Sequence, residues 1–258
     1  MGKKQRIKIK SENDIKMMRI SGEVASDVLQ RAAKAIQVGV TTKEVDDYVG
    51  ELVKEHGCRS AFLGYRGFPA NACISVNDEV VHGIGSDRVI QDGDIVSIDV
   101  GVQKNGWIGD NALTVPVGNI SQAAKDLLIV TEQSLFESIS HARAGLPLAD
   151  LCGAVEEYVK EYGYSVVRDL VGHGVGKDLH EEPQVPNYRP FGKTPVLKPG
   201  MVLAIEPMIN EGTGKVECLE DDWTIVTKDG KLSAHFEHTV LITDGEPEIL
   251  TPRPRLSL

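Results

Sequence analysis

The stretch D-I-V-S-I-D-V-G-V-Q-K-N-G-W-I-G-D-N-A-L-T-V, Asp94 to Val115, decides how this chain folds. One apolar run carries Asp99, the chain turns at Asn105-Gly106, and a second apolar run carries Asp110. Asn-Gly between two such runs predicts a β-hairpin, because both residues of the tight turn must accept positive φ. A two-residue turn also sets the register: Lys104 opposite Trp107, Gly101 opposite Asp110, Asp99 opposite Ala112. Side chains repeat with period two, so Asp99 and Asp110 share one face as a diagonal pair, about 7–8 Å apart by Cα. Two carboxylates on one face of an apolar hairpin repel unless positive charge lies between them. Taken alone, the pair reads equally well as two solvated aspartates on an edge hairpin. The rest of the chain decides.

The chain has 258 residues, 41% hydrophobic and 26% charged, which fits a globular protein able to bury a sizeable core in one domain. A formal net charge of -10 argues against general nucleic-acid binding. Lys3, Lys4, Arg6, Lys8 and Lys10 make the start basic, and with Ile7 and Ile9 alternating they predict a solvated arm containing a short strand. No long apolar run follows, so neither a secretory signal nor a membrane span is expected, and the cytoplasm is the expected location. Cys58, Cys73, Cys152 and Cys218 show no C-x-x-C spacing, which predicts free thiols and no zinc–cysteine site.

Helical spacing predicts a first helix from Glu12 to about Ile36, capped by Ser11 or Asn13, and a second capped by Thr41 or Thr42 and stopped at Gly57. From Ser121 the plan restarts with a helix to about His141 and another ending at Gly163. An offset of 106 residues lays Gly39 on Gly145, Val53-Lys54-Glu55 on Val159-Lys160-Glu161 and Gly57 on Gly163. D-G-D-I-V-S-I-D, ending at Asp99, lies over K-P-G-M-V-L-A-I-E, ending at Glu206. The segment from Asp110 resembles that from Glu237, with an insertion around a turn pair at Asp229-Gly230. The pattern predicts an internal duplication with halves of about 12–118 and 121–250. Two halves about a local two-fold axis would bring Asp99, Asp110, Glu206 and Glu237 together.

Four buried carboxylates cannot all stay ionised without cations, and two divalent ions would satisfy them. Of seven histidines, three stand in glycine-framed or acidic loops: His82 in V-H-G-I-G, His173 in V-G-H-G-V-G-K and His180 in L-H-E-E-P. These are candidates to complete such a site. His56, His141, His235 and His238 lack that context, and His56 and His141 fall near helix C-termini, where positive charge is favourable.

At this point the residues resemble a known family. C-I-S-V-N-D-E-V-V-H-G-I-G, D-I-V-S-I-D-V-G, G-W-I-G-D, G-H-G-V-G, H-E-E-P, I-E-P and F-E-H-T-V are similar to the motifs of type I methionine aminopeptidases, over nearly the whole chain. The resemblance implies an α+β pita-bread (creatinase/aminopeptidase-like) fold: one catalytic domain over 1–258, with two pseudo-symmetric halves and a curved antiparallel sheet flanked by helices. It implies a metallo-exopeptidase that removes the N-terminal methionine ahead of a small second residue. By the resemblance Asp99 chelates one metal, Asp110 and Glu237 bridge, and His173 and Glu206 hold the other. Glu206 would also move the proton of the attacking water. His180 would polarise the scissile carbonyl, and His82 would assist at the amide nitrogen. Tyr65, Phe68, Cys73 and Trp223 look like walls of the methionine pocket, with Phe62 and Leu179 at positions where relatives vary. Two ions of manganese, iron, cobalt or zinc suit so hard a ligand set. The implied partners are N-terminal Met peptides and nascent chains, with the ribosome a further candidate, no membrane, no other nucleic acid, and a monomeric state. Met1-Gly2 would make the chain its own substrate.

Three rivals share the fold. Proline-specific peptidases carry a large additional N-terminal domain, whereas about a dozen residues precede the first helix here. A type II enzyme would need a helical insertion between His173 and Glu206, where this chain has no room. A non-catalytic pita-bread module that binds protein or nucleic acid would tolerate lost ligands and often gains basic tails; this chain has all five ligand types and is acidic.

Overall fold

The structure is a computed structural model and describes residues 6–257. Lys3, Lys4 and the Met1-Gly2 dipeptide lie outside the described residues.

The hairpin forms as its sequence predicts. Strands Ile95–Lys104 and Trp107–Pro116 pair antiparallel with Lys104 opposite Trp107, Gly101 opposite Asp110 and Asp99 opposite Ala112. Asn105 and Gly106 take φ of 53° and 79°, the left-handed pair that matches the twist of the flanking strands. Cys73–Val76 pairs with the other edge of the first strand, setting Cys73 beside Asp99. Period two sends Ile98, Val100 and Val102 to one face, all fully buried. Helices α1 (Glu12–Ala35) and α2 (Thr42–Glu55) cover that face through Val28, Leu29, Val45 and Val49. Each fully buried aliphatic contributes about 2 kcal/mol, so helix docking fixes the back of the hairpin and leaves the aspartate face for the site.

Ser11 and Thr41 each close a capping box, with Asp14 and Glu44, at the starts of α1 and α2. Helices α3 (Gln122–Ser140) and α4 (Leu148–Glu161) repeat the helix pair, and His56 and His141 are the C-caps of α2 and α3. A five-stranded antiparallel sheet follows, in the order Glu248–Ile249, His238–Leu241, Val202–Ile205, Gly172–Gly174, Glu181–Val185. The two sheets meet where Trp107–Pro116 approaches His238–Leu241. There the Thr239 hydroxyl donates to the Asp110 carbonyl at 2.7 Å and accepts from the Asp110 N–H at 3.1 Å, while Glu237 N–H donates to Ala112 O at 2.9 Å. One seam therefore joins an acidic residue from each part of the chain.

One expectation differs from the structure. The basic start forms no strand over residues 6–10 and is not simply solvated. Lys10 is buried, its Nζ 2.8 Å from Glu181 Oε2, and Lys8 pairs with Asp178 and Glu181. The reason is the adjacent acidic loop after Lys177, which a solvated arm would leave unpaired. The turn expected at Asp229-Gly230 forms, with Gly230 at φ 67°, and the strands on its two sides pair with other strands. Ile225–Thr227 pairs with Val216–Cys218 and Glu79–Val81, whereas Ser233–His235 pairs with Met208–Asn210. All four cysteines are free thiols, as their spacing predicts. No helix among the described residues is long and apolar enough to cross a membrane.

Candidate metal centre

A cavity of about 290 Å³ opens beside the seam. Asp99, Asp110, His173, Glu206 and Glu237 all line it, as do His82, His180, Tyr65, Phe68, Cys73 and Trp223. Phe62 and Leu179 line it too, and both are buried.

Each acidic residue reaches the cavity from a different local structure. Asp99 and Asp110 project from the two hairpin strands by the period-two register. His173 sits in Gly172–Gly174, opposite Ala204. Its glycine neighbours are required by close approach: a Cβ on Gly172 would lie 2.4 Å from Ala204 O, and one on Gly174 would lie 2.3 Å from Glu182 O. Glu206 ends the Val202–Ile205 strand, and its carbonyl accepts from Asn187 Nδ2 at 3.0 Å. Glu237 stands between two strands with its backbone bonded across the seam.

Donor atoms of Asp110, His173 and Glu237 lie within 4.8 Å of one another. Glu206 Oε1 is 3.4 Å from His173 Nε2, and Asp110 Oδ2 is 3.8 Å from it. Asp99 and Glu206 fall outside the tightest group but share the cavity. The proton inventory shows what this cluster lacks. His173 Nδ1 lies 3.0 Å from Gly174 O, which can only accept, so Nδ1 carries the hydrogen and Nε2 presents a lone pair. Oδ1 of Asp99, Oδ1 of Asp110, Oε1 of Glu206 and Oε1 of Glu237 are buried with no hydrogen-bond partner. Five acceptors face one another and no donor stands between them. Such a set fits divalent cations and little else.

The electrostatics agree. Burial, then the Asp110 charge, pushes the Asp99 carboxyl well above the usual carboxylate range. Burial pushes Asp110 up to about 7. Glu206 and Glu237 are raised by burial and then by both aspartates. Four carboxyls thus compete for protons unless cations replace them. The imidazoles move the other way: burial brings His173 down to about 4 and His180 to about 3, and lowers His82. Neutral imidazoles are what ligation and hydrogen-bond donation require.

Around the acids stand aromatic walls. The Tyr65 hydroxyl lies 2.6 Å from His180 Nδ1, and the two rings stack at 5.2 Å. His180 packs 4.2 Å from the His173 ring. Phe68 meets Trp223 edge-on at 5.0 Å, and Trp223 meets His82 edge-on at 6.4 Å. His82 holds φ of 61°, a left-handed conformation that a non-glycine residue adopts at a cost of about 1–3 kcal/mol and that clusters at functional sites. Sequence patterns did not single out Arg66, Asp169, Leu170 or Val171, which also line the cavity; no motif marks these loop positions. Nor did they single out His235, whose Nε2 is buried 4.0 Å from Glu206 Oε2. Its only sequence signal is its place two residues before Glu237.

Residues 16–244 match the profile of metallopeptidase family M24. Methionine aminopeptidase 1 of Bacillus subtilis (strain 168) is 49% identical over 242 residues, 94% of this chain and 98% of that protein. The solved structure of a methionine aminopeptidase from Thermotoga maritima superposes with a TM-score of 0.94 at 44% identity, covering 96% of this chain and 100% of that one. A prolidase from Pyrococcus furiosus superposes with a TM-score of 0.79 at 27% identity, but only 66% of that longer chain is covered. The α+β pita-bread architecture is the one these proteins share, the family implies use of a divalent metal, and Asp110, His173 and Glu237 form a candidate metal-binding cluster. The chain belongs to metallopeptidase family M24 and, within it, to the methionine aminopeptidases.

Proposed function

We propose that this chain is a metal-dependent aminopeptidase that removes the N-terminal methionine from polypeptides whose second residue is small. The observation that carries this is the set of buried acceptors with no donor among them, drawn from Asp99, Asp110, His173, Glu206 and Glu237. Asp99 would hold one ion, His173 and Glu206 a second, with Asp110 and Glu237 shared, and manganese, iron, cobalt or zinc would suit the ligands. Bound there, divalent ions supply Lewis acidity and bring the pKa of a coordinated water toward neutrality.

The chain's own residues do the remaining work. Glu206 Oε1, buried without a partner, takes the proton of the attacking water and returns it to the departing amine nitrogen. The Tyr65 hydroxyl, 2.6 Å from His180 Nδ1, would donate to it and so keep the His180 proton on Nε2, where it would hydrogen-bond the carbonyl as charge develops there. His82 assists at the amide nitrogen. Tyr65, Phe68, Cys73 and Trp223 enclose the methionine side chain in an apolar wall suited to a thioether. The chain acts as a single catalytic domain with halves of about 12–118 and 121–250. It works as a monomer in the cytoplasm on nascent chains, with the ribosome as a partner.

The test is turnover of a Met-Ala peptide before and after treatment with a chelator. Activity should vanish on chelation and return when manganese or cobalt is added. A protein that releases no methionine under any metal condition is a binding module instead.

A further inference from the structure

His235 is the one nitrogen among the buried side-chain atoms left without a hydrogen-bond partner in the described residues. Its surroundings fix it closely. The residue is 1% exposed and ends a strand in which it pairs with Met208. Its N–H donates to Thr114 Oγ1 at 2.9 Å, and its carbonyl accepts from the same hydroxyl at 2.9 Å. That hydroxyl also meets Ser97 Oγ at 2.8 Å. Ser97 and Thr114 stand on the two strands that carry Asp99 and Asp110. The backbone of His235 is thus held by the hairpin, and its imidazole Nε2 lies 4.0 Å from Glu206 Oε2. It does not line the cavity itself.

We propose that His235 is a positioning residue for Glu206: its Nε2–H donates to Oε2 and keeps Oε1 turned toward His173 Nε2, 3.4 Å away. An ionised carboxylate only accepts, so the shared proton must sit on Nε2. The terminal torsion of glutamate is soft, so a small turn of the carboxylate brings Oε2 to hydrogen-bond distance. The pairing also gives the buried His235 Nε2, which has no other hydrogen-bond partner, an acceptor. Without it, Glu206 could turn Oε1 away from His173, and both metal holding and proton movement would suffer. This inference rests on the role of Glu206 given above.

Two substitutions test it. His235→Leu removes the donor at similar volume, and His235→Gln keeps an N–H near the Nε2 position. Manganese affinity of the chelator-stripped protein is measured by calorimetry with no peptide present, alongside kcat and KM on a Met-Ala peptide and thermal unfolding. Groups that hydrogen-bond a metal ligand from behind are typically worth ~10–100-fold in metal affinity or activity. His235→Leu should lose that much in manganese affinity or kcat with KM within about threefold, and His235→Gln should recover most of the loss. His235→Leu matching the parent in both measurements, or His235→Gln failing as fully as His235→Leu, overturns the proposal. If His235→Leu does not fold, histidine-labelled nitrogen NMR of the metal-loaded parent decides: a protonated Nε2 on His235 supports the proposal, and a bare Nε2 overturns it. Manganese affinity is read without substrate, so failure here is distinct from failure of the parent's chelation assay, which tests the peptidase activity alone.

Discussion

Replacing Lys10 by Met asks how the N-terminal arm secures the loop that carries His180. Lys10 Nζ lies 2.8 Å from Glu181 Oε2, and the two side chains are 3% and 2% exposed. Burial pulls the Lys10 ammonium below its ordinary pKa. Burial also opposes ionisation of Glu181, but the ammonium groups of Lys10 and Lys8 together outweigh it and hold that carboxyl below its usual range. As a pair the two charges come close to breaking even, and the large effect comes from removing one of them. Lys10→Met would leave a buried carboxylate whose remaining cation, Lys8, sits 3.1 Å away and is half exposed. An uncompensated buried charge costs about 3–5 kcal/mol; with Lys8 still in place, the low end, about 3 kcal/mol, is expected. The assay is urea unfolding of the metal-saturated protein at neutral pH, read as a lower midpoint at unchanged slope. Adding Glu181→Leu to Lys10→Met should recover about half of the loss or more, because the stranded charge is gone. The Glu181 contribution is present above the unfolded carboxyl pKa and fades as pH falls through the lower folded value, so parent and variant should converge in acid. A loss below about 1 kcal/mol for Lys10→Met, or a double variant no better than the single, would refute the reasoning.

Three further outcomes are expected. Metal-free protein should lose stability as pH rises from about 6.5 to about 8.5, because the unfolded carboxyls are ionised throughout while Asp110, pushed up to about 7, and its raised neighbours give up protons only in the folded state. Below that window the buried histidines, held neutral in the fold, pull the opposite way, so thermal unfolding of chelated protein across the upper window is the reading that counts; a rising melting temperature there contradicts the assignment. Gly172→Ala would put a Cβ 2.4 Å from Ala204 O and 3.2 Å from Glu206 Cγ, forcing the His173 strand outward. Calorimetry should show weaker manganese binding and urea unfolding a loss of about 2 kcal/mol; unchanged metal affinity would count against the close approach as a requirement. Tyr65→Phe keeps the ring stacked on His180 and removes the 2.6 Å hydrogen bond. The loss of about 1 kcal/mol should lower kcat roughly fivefold with metal content unchanged, and an unaltered kcat would remove Tyr65 from the role given to it.

The hairpin was legible because its rules are local. Asn105-Gly106 dictates the turn, and period two then dictates that Asp99 and Asp110 share a face. Ser11, Thr41 and Ser121 were legible as helix starts for the same reason, each bonding its own first turn. What the sequence hid depends on distant partners. Asp229-Gly230 carries the same turn chemistry as Asn105-Gly106, yet its flanking strands pair elsewhere, because Met208–Asn210 and Glu79–Val81 compete for them. Lys10 looks like any lysine in a basic arm until Glu181 is brought beside it across most of the chain. His235 has no glycine frame, and only its burial against Glu206 sets it apart from His56 and His141 at the helix ends. The candidate ligands were legible as types at intervals resembling a known family. That four of their oxygens would lie buried without a single donor is a property of the fold alone.

The most direct measurement is anomalous scattering from crystals grown with manganese. Two peaks are expected in the cavity, roughly 3.5–4 Å apart, with Asp110 and Glu237 touching both, Asp99 on one, and His173 and Glu206 on the other. No peak among these five residues, or carboxylates turned out to solvent with the metal bound elsewhere, would contradict the metal centre and the hydrolysis built on it.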